Sequence, residues 1–205
     1  MKKTPLIAVL DYGIGNLRSA EKGLCRVGAD ARLTDDPSLI GDADGVVLPG
    51  VGAFGRCMDA LDRSGLATLA RDSVTRAIPF LAICIGMQLL YDESEENPGR
   101  RGLGILPGVV RRLPVGVKHP QMQWNTLQAK RRSMLLDGLP QPAWFYFVHS
   151  YAPDDMAHAV ALCDYGGPVV AAVERGNVWA TQFHPEKSGA NGMKLLSNFV
   201  TRCSS

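Results

Sequence analysis

One cysteine in the middle of the chain stands where a buried strand is expected to turn sharply into a helix. Cys84 follows the apolar run at residues 78–83, and Gly86, two positions later, permits a tight corner. A free thiol has a pKa of about 8.5 and attacks only as thiolate, so its surroundings must favour the anion. The amino terminus of a helix that begins near Ile85 would do so. We therefore predict that Cys84 is a nucleophile, with an ordinary buried cysteine as the alternative.

A second run, a hundred residues later, offers a base and an acid. His184 and Glu186 flank Pro185, and an extended backbone at the proline would turn both side chains to the same side. Glu186 could then orient the imidazole and stabilise its charged form, as the third member of a catalytic triad does. For this segment taken alone, a chance pair on a surface loop is the alternative. Together with Cys84 it predicts a triad for nucleophilic acyl transfer.

Acyl transfer also needs backbone donors for a developing oxyanion. The Pro-Gly-Val-Gly run at residues 49–52 follows a buried strand that we expect beside the strand of Cys84. Backbone N–H groups of Val51 or Gly52, together with that of Ile85, could hold this charge, and one such donor contributes about 2.7–4 kcal/mol. The run lacks the Lys-Ser/Thr pair of a phosphate-binding loop. The run at residues 13–18 resembles a dinucleotide fingerprint, but Arg18 stands in the place of its third glycine, so we expect no cofactor.

Composition narrows the class of protein. The chain has 205 residues, of which 46% are hydrophobic and 20% charged, and its net charge is +2. These values predict one globular domain, residues 1–205, and do not favour nucleic acid or an anionic membrane as partner. Five scattered cysteines with no CxxC pair argue against a zinc site and a disulfide framework. We find no signal peptide and no unbroken apolar stretch that could span a bilayer, so we expect a cytoplasmic location.

Strand and helix patterns alternate in the first half of the chain and give way to short strands in the second. The expected strands are 6–10, 31–33, 45–48 and 78–83, and the expected helices are about 16–27, capped by Asn16, 53–76 with a break near 64–65, and 86–91. Later strand-like runs lie at 104–113, 122–127, 144–148, 159–163, 169–173 and 178–183, before a closing helix at 189–202. We predict an α/β fold with a mostly parallel, doubly wound sheet flanked by helices and antiparallel additions in the C-terminal half.

From about Leu6 to its end the chain resembles the class I (triad) glutamine amidotransferases. The marks are a Cys-x-Gly-x-Gln elbow at residues 84–88 and the late His-Pro-Glu at residues 184–186. The resemblance implies that family's fold and the hydrolysis of L-glutamine to glutamate and ammonia through a Cys84 thioester. It also implies that the glutamine is contacted by Gly52, Gln88, Glu96, Ser150 and Tyr151.

Within the family, four runs resemble the glutaminases that serve imidazole glycerol phosphate synthase in histidine biosynthesis: residues 11–17, 49–54, 123–125 and 148–151. This resemblance implies a heterodimer with a (β/α)8-barrel cyclase, which uses the ammonia to make imidazole glycerol phosphate and aminoimidazole carboxamide ribotide. It places Trp124, Asn125, Tyr146 and Lys187 at the contact with the cyclase, although core packing is an alternative for the two aromatic residues. It also implies that the isolated chain is a poor glutaminase, because the peptide at Gly50–Val51 must first turn an N–H towards the oxyanion.

Two other functions fit part of these observations. One is a glutaminase of another pathway, such as those of anthranilate, vitamin B6 or GMP synthesis. The other is a non-catalytic regulator or scaffold that keeps the same shape, which the intact triad argues against. The sequence departs from the usual family pattern at Ala82, Gln121 and Gln123.

Overall fold

The computed structural model describes residues 4–204, which form twelve strands and six α-helices. The strands are β1 (Leu6–Leu10), β2 (Asp30–Thr34), β3 (Gly45–Gly50), β4 (Phe80–Cys84), β5 (Glu93–Ser94), β6 (Val109–Arg112), β7 (Gln121–Ala129), β8 (Ala143–His149), β9 (Tyr151–Pro153), β10 (Ala159–Asp164), β11 (Pro168–Arg175) and β12 (Val178–Thr181). The helices are α1 (Leu17–Arg26), α2 (Pro37–Asp42), α3 (Phe54–Arg63), α4 (Leu66–Thr75), α5 (Ile85–Leu89) and α6 (Gly189–Cys203). Two short 3-10 helices cover Met134–Leu136 and Pro185–Lys187.

A nine-stranded sheet in the order β2-β1-β3-β4-β12-β11-β10-β7-β8 forms the centre of the molecule. Neighbouring strands are parallel from β2 to β12 and antiparallel from β12 to β8. A smaller sheet contains β5, β6 and β9. The predicted α/β class is confirmed, with the parallel and antiparallel pairings evenly divided.

The parallel half forms because its strands are apolar on both faces. Every residue of β3, β4 and β12 is buried, as expected for strands covered by helices on either side of a parallel sheet. The alternating burial of β8 is typical of an antiparallel strand with one covered face. The burial pattern of these strands thus distinguishes the parallel half of the sheet from the antiparallel half.

Three local predictions differ from the structure. We expected residues 178–183 to be an antiparallel addition, but β12 lies parallel to β4 because its buried run fits the doubly covered centre. Asn16 does stand at the start of α1, but its side chain makes no capping hydrogen bond. The strand expected at 104–113 is shortened to β6. The predicted break near 64–65 is present, with Gly65 at φ 75° between α3 and α4.

The corner between β4 and α5 is packed tightly against β3. A Cβ atom at Gly86 would collide with the backbone carbonyl of Leu48, and one at Gly50 would lie 2.9 Å from the backbone nitrogen of Gly86. The glycine at 86 is therefore needed for the close approach of α5 to β3. This contact fixes the end of β4, where Cys84 lies.

Replacing Gly86 by alanine should destabilise the fold. Overpacking of a well-packed core typically costs about 1–3 kcal/mol, and the colliding atom here is backbone, which cannot rotate away. Urea unfolding of Gly86→Ala should show this loss. The matched control is Gly41→Ala in α2, whose added methyl would meet nothing closer than 3.8 Å. Equal stability of Gly86→Ala and the unaltered chain would contradict the packing argument.

Candidate active site

Cys84 occupies a strained corner at the carboxyl end of β4. Its φ of 56° and ψ of −111° lie outside the usual regions for a residue with a side chain, and Gly50 of β3 is its register partner. Such strain persists where the surrounding structure imposes it, and it is frequent at functional sites. The sulfur lies 3.9 Å from the carbonyl oxygen of Val148 and 3.8 Å from Nε2 of Gln182.

His184 and Glu186 form a buried pair. Nδ1 of His184 lies 2.8 Å from Oε1 of Glu186, and the two side chains are 1% and 2% exposed. The extended backbone predicted at Pro185 is wrong, because Pro185–Lys187 forms a 3-10 turn. Ser188 closes this turn by donating its hydroxyl hydrogen to the carbonyl of His184 at 2.6 Å. The turn still brings carboxylate and imidazole together.

The surroundings of His184 favour its charged form. Burial alone would lower the pKa of its imidazole, but hydrogen bonding and charge from Cys84 and Glu186 outweigh burial and raise that pKa to about 10. Nδ1 of the imidazole contacts Glu186, while Nε2 is buried without a hydrogen-bond partner among residues 4–204, and His184 and Cys84 line the same cavity. This arrangement suits an imidazolium that stabilises a thiolate and can later give up its proton.

A cavity of about 250 Å³ connects most of the predicted site residues. Its walls include the predicted nucleophile and base, Cys84 and His184. They also include every predicted oxyanion donor and glutamine contact, namely Val51, Gly52, Ile85, Gln88, Glu96, Ser150 and Tyr151. Pro120, Val148 and His149, which the sequence analysis missed, complete the lining.

Two polar side chains in the cavity wall are fixed by backbone groups. Glu96 accepts a hydrogen bond of 2.7 Å from the backbone N–H of Phe54, at the start of α3. Gln88 donates from Nε2 to the carbonyl of Tyr151 at 2.9 Å and to Oε1 of Gln182 at 3.0 Å. Among residues 4–204, Oε1 of Gln88 is buried and has no hydrogen-bond partner.

Two buried donors hold the segment that precedes α3. The hydroxyl of Tyr12 donates to the carbonyl of Pro49 at 2.7 Å, and the thiol of Cys57 lies 3.4 Å from the carbonyl of Val51. Burial raises the pKa of both groups, that of Cys57 to about 11, so both stay protonated at neutral pH. These contacts fix two carbonyls of the candidate oxyanion segment, and nothing in the local sequence identified either donor.

The residues predicted to meet a partner do not form one uniform surface. Trp124 is 49% exposed, so the core-packing alternative is wrong for this residue, and it lies edge-on to Tyr146 at 6.2 Å between ring centroids. Tyr146 in turn lies 6.5 Å from the ring of His184. Lys187 is exposed at the end of its turn. Asn125 is half-buried and donates to the carbonyl of Asp164 at 2.9 Å.

Three further polar residues near the site were not identified from the sequence. Asn16 donates to Oε1 of Glu186 at 3.4 Å. His149 lies 2.8 Å from the carbonyl of Tyr151 through Nδ1, and burial lowers its pKa to about 4, so it is neutral. Gln182 is fully buried beside Cys84. The sequence contained one signal for Gln182: it stands two residues before His184, and alternate residues of an extended segment share a face.

Residues 4–204 contain no group of His, Cys, Asp and Glu side chains that could hold a metal ion. In the same range, no helix combines the length and the apolar character needed to cross a membrane.

Comparison with known proteins gives a consistent result. The family model for class I glutamine amidotransferases matches residues 8–203. A protein named imidazole glycerol phosphate synthase subunit HisH from Desulfitobacterium hafniense (strain Y51) is 46% identical over 196 residues, covering 95% of this chain and 93% of the relative. A protein of the same name from Methanothermobacter thermautotrophicus is 48% identical, covering 95% of this chain and 98% of the relative.

Solved structures support the same fold. A crystal structure of a glutamine amidotransferase superposes with a TM-score of 0.77 at 20% identity, covering 97% of this chain and 99% of that one. The structure of PurLQS from Thermotoga maritima gives the same values. At this level of identity the likeness concerns the fold alone.

The charge on Glu186 should stabilise the fold in a pH-dependent way. The pKa of His184 is raised from 6.5 to about 10. The stabilisation that the charged pair contributes to the fold is therefore fully present below pH 6.5 and is lost as the pH rises towards 10. We expect Glu186→Gln to lower the free energy of unfolding by about 1–3 kcal/mol below pH 6.5, and by less at each higher pH. Denaturant unfolding between pH 6 and pH 10 measures this difference.

The control for this pH dependence is the same substitution in a chain that lacks the imidazole. In a His184→Ala background, Glu186→Gln should change the free energy of unfolding by an amount that does not follow the titration of a histidine. A loss from Glu186→Gln in the unaltered chain that grows with rising pH would contradict the assignment of a charged pair.

Proposed function

Because the chain belongs to the class I glutamine amidotransferases, we propose that it cleaves the side-chain amide of L-glutamine by means of Cys84, His184 and Glu186. The observation that carries this proposal is the 2.8 Å contact between His184 and Glu186 beside the cavity that also holds Cys84. The single match over residues 8–203 supports one amidotransferase domain.

The chain is the glutaminase subunit of imidazole glycerol phosphate synthase, an enzyme of histidine biosynthesis. The identity to subunits of that name extends over nearly the whole chain and is far above the identity to amidotransferases of other kinds that share the fold. This level of identity disfavours a glutaminase of the anthranilate, vitamin B6 or GMP pathway. The intact triad disfavours a non-catalytic scaffold.

The first half of the reaction forms a thioester. The thiolate of Cys84 attacks the amide carbon, and a negative charge develops on the carbonyl oxygen. Backbone N–H groups of Ile85 and of Val51 or Gly52, on adjoining walls of the cavity, hold that oxygen. The imidazolium of His184 gives its proton to the amide nitrogen, the carbon–nitrogen bond breaks, and ammonia leaves.

The second half regenerates the thiolate. A water molecule gives a proton to the now neutral His184 and attacks the thioester carbon. The carbon–sulfur bond breaks, glutamate leaves, and the imidazolium again faces the thiolate. Glu186 keeps the imidazole in position throughout and stabilises its charged form.

The cavity fits the proposed substrate in size and in polarity. A volume of about 250 Å³ corresponds to roughly eight water molecules, which suits a ligand of about ten non-hydrogen atoms. The carboxylate of Glu96 is an acceptor suited to the ammonium group of glutamine, and Gln88 lines the same cavity. The wall formed by Gly52, Ser150 and Tyr151 completes the contacts.

We infer that the ammonia passes to a (β/α)8-barrel cyclase bound over the half-exposed Trp124 and the half-buried Tyr146. Tyr146 lies next to the ring of His184, and Trp124 lies edge-on to Tyr146, so a partner seated there covers the site beside His184. Lys187 adds a positive charge on the same turn as Glu186. A reducing cytoplasm suits this reaction, since the active thiol and the other four cysteines are free.

Replacing Cys84 by alanine should abolish glutamine-dependent turnover of the complex. Ammonia-dependent turnover by the cyclase should stay nearly unchanged, because the substitution removes only the nucleophile. Product formation with each nitrogen source measures both effects. Cys163→Ala is a matched control, since Cys163 is also buried but lies in β10, away from the cavity. Glutamine use that survives in Cys84→Ala would contradict the triad.

Replacing Trp124 by alanine should weaken binding of the cyclase about 30-fold. A half-exposed tryptophan is a typical anchor of an interface, and its truncation costs about 2 kcal/mol or more. Calorimetric titration of the cyclase into the chain measures the dissociation constant. Met156→Ala alters another exposed apolar residue, which lies between β9 and β10, and should leave binding unchanged. Equal affinity of Trp124→Ala and the unaltered chain would place the partner elsewhere.

A further inference from the structure

The sulfur of Cys84 has a buried polar neighbour that lies outside the cavity lining. Nε2 of Gln182 lies 3.8 Å from this sulfur, and the residue is fully buried. Gln182 directly follows β12, and its backbone N–H donates to the carbonyl of Ala171 in β11 at 2.8 Å. Its side chain is therefore held in place by the sheet and is sealed from solvent.

Hydrogen bonding fixes which end of the Gln182 amide faces the sulfur. Nε2 of Gln88 donates both to Oε1 of Gln182 at 3.0 Å and to the carbonyl of Tyr151 at 2.9 Å. Since Oε1 of Gln182 is an acceptor there, the amide nitrogen must lie on the opposite side, towards Cys84. The carbonyl of Tyr151 also accepts from Nδ1 of the neutral His149 at 2.8 Å. A buried chain of hydrogen bonds thus leads from the sulfur to β9.

We propose that Gln182 is a positioning residue that donates an N–H to the thiolate of Cys84. This role rests on the proposed function, in which Cys84 is the nucleophile. The carbonyl of Val148 also lies close to the sulfur, at 3.9 Å, and as an acceptor it favours the uncharged thiol. An N–H donor at the sulfur shifts the balance towards the anion, because hydrogen bonds to a charged form favour that form.

The role of Gln182 differs from that of His184 in two ways. An amide neither gains nor loses a proton near neutral pH, so Gln182 orients the sulfur without taking part in proton transfer. It also lies outside the cavity lining, so it does not contact glutamine. Its loss should therefore lower kcat and leave KM unchanged, in contrast to the loss of a residue that binds glutamine.

The test is Gln182→Met in the full chain assayed with its cyclase partner. Methionine keeps the length of the side chain but removes the donor. We expect the pH midpoint of alkylation of Cys84 by iodoacetamide, followed by peptide mass spectrometry, to rise by about one unit, so that alkylation at pH 7 slows about tenfold. The kcat for glutamine should fall about tenfold, with KM within twofold.

The matched control is Gln121→Met, which removes another fully buried glutamine, in β7. It should leave the alkylation profile unchanged. An unaltered profile in Gln182→Met, or an equal shift in Gln121→Met, would overturn the role of Gln182 while glutamine hydrolysis by the unaltered chain still supports the proposed function. If Gln182→Met does not fold, Gln182→Asn, which withdraws the amide by one methylene, should give the same upward shift. Absence of glutamine hydrolysis by the unaltered complex would overturn both proposals.

Discussion

The site depends on the contact between the backbone of α5 and the backbone of β3. At this contact the chain has no room for side-chain atoms, as the glycines at positions 50 and 86 demonstrate. Because the two elements touch, the N–H groups that begin α5 and those that follow β3 converge on one small volume. The same contact imposes the strained dihedral angles of Cys84. Packing of the sheet therefore fixes the buried position of the sulfur at the cavity wall and, in the proposed reaction, the place for a developing charge.

Burying the pair formed by His184 and Glu186 is poorly explained by stability. Removing two charges from water is costly, and attraction between them often does no more than offset that cost. Here Oε2 of Glu186 is buried without a partner among residues 4–204, which adds to the cost. The arrangement is better explained by chemistry, because it keeps the imidazole charged and oriented beside the sulfur. Burial of the large apolar core offsets the unfavourable free energy of burying this pair.

The sequence predicted those structural features that depend on a few neighbouring residues, such as buried strands and tight corners. Continuous apolar runs identified the parallel strands, and the glycine after Cys84 identified the corner, because both patterns express burial or backbone geometry within a few residues. The direction of β12 was not predictable in this way, since it depends on a gap between β4 and β11 that no local pattern describes. Asn16 fits a helix cap by residue type, yet its side chain contacts Glu186, 170 positions later.

The residue types and spacing of Cys84, His184 and Glu186 were distinctive enough to propose a triad from the sequence, whereas the residues that surround it were not predictable. Cys57 is one of several buried cysteines, and only the fold places its thiol beside the carbonyl of Val51. Gln182 similarly acquires its contact with Cys84 across 98 positions of sequence. Residues of this kind have ordinary local surroundings, and their importance comes from the neighbours that folding provides.

The central position of β12 also affects how the protein is made. In the described part of the chain β12 is the last strand to be synthesised, yet it lies between β4 and β11 in the sheet. Until β12 has left the ribosome, β4 and β11 cannot pair through it. Both strands then have an unpaired edge at the centre of the nascent sheet, and such edges are prone to aggregation. Over the same period the thiol has no base beside it. In the proposed mechanism a half-made polypeptide therefore cannot release ammonia, and competence for catalysis arrives together with completion of the sheet.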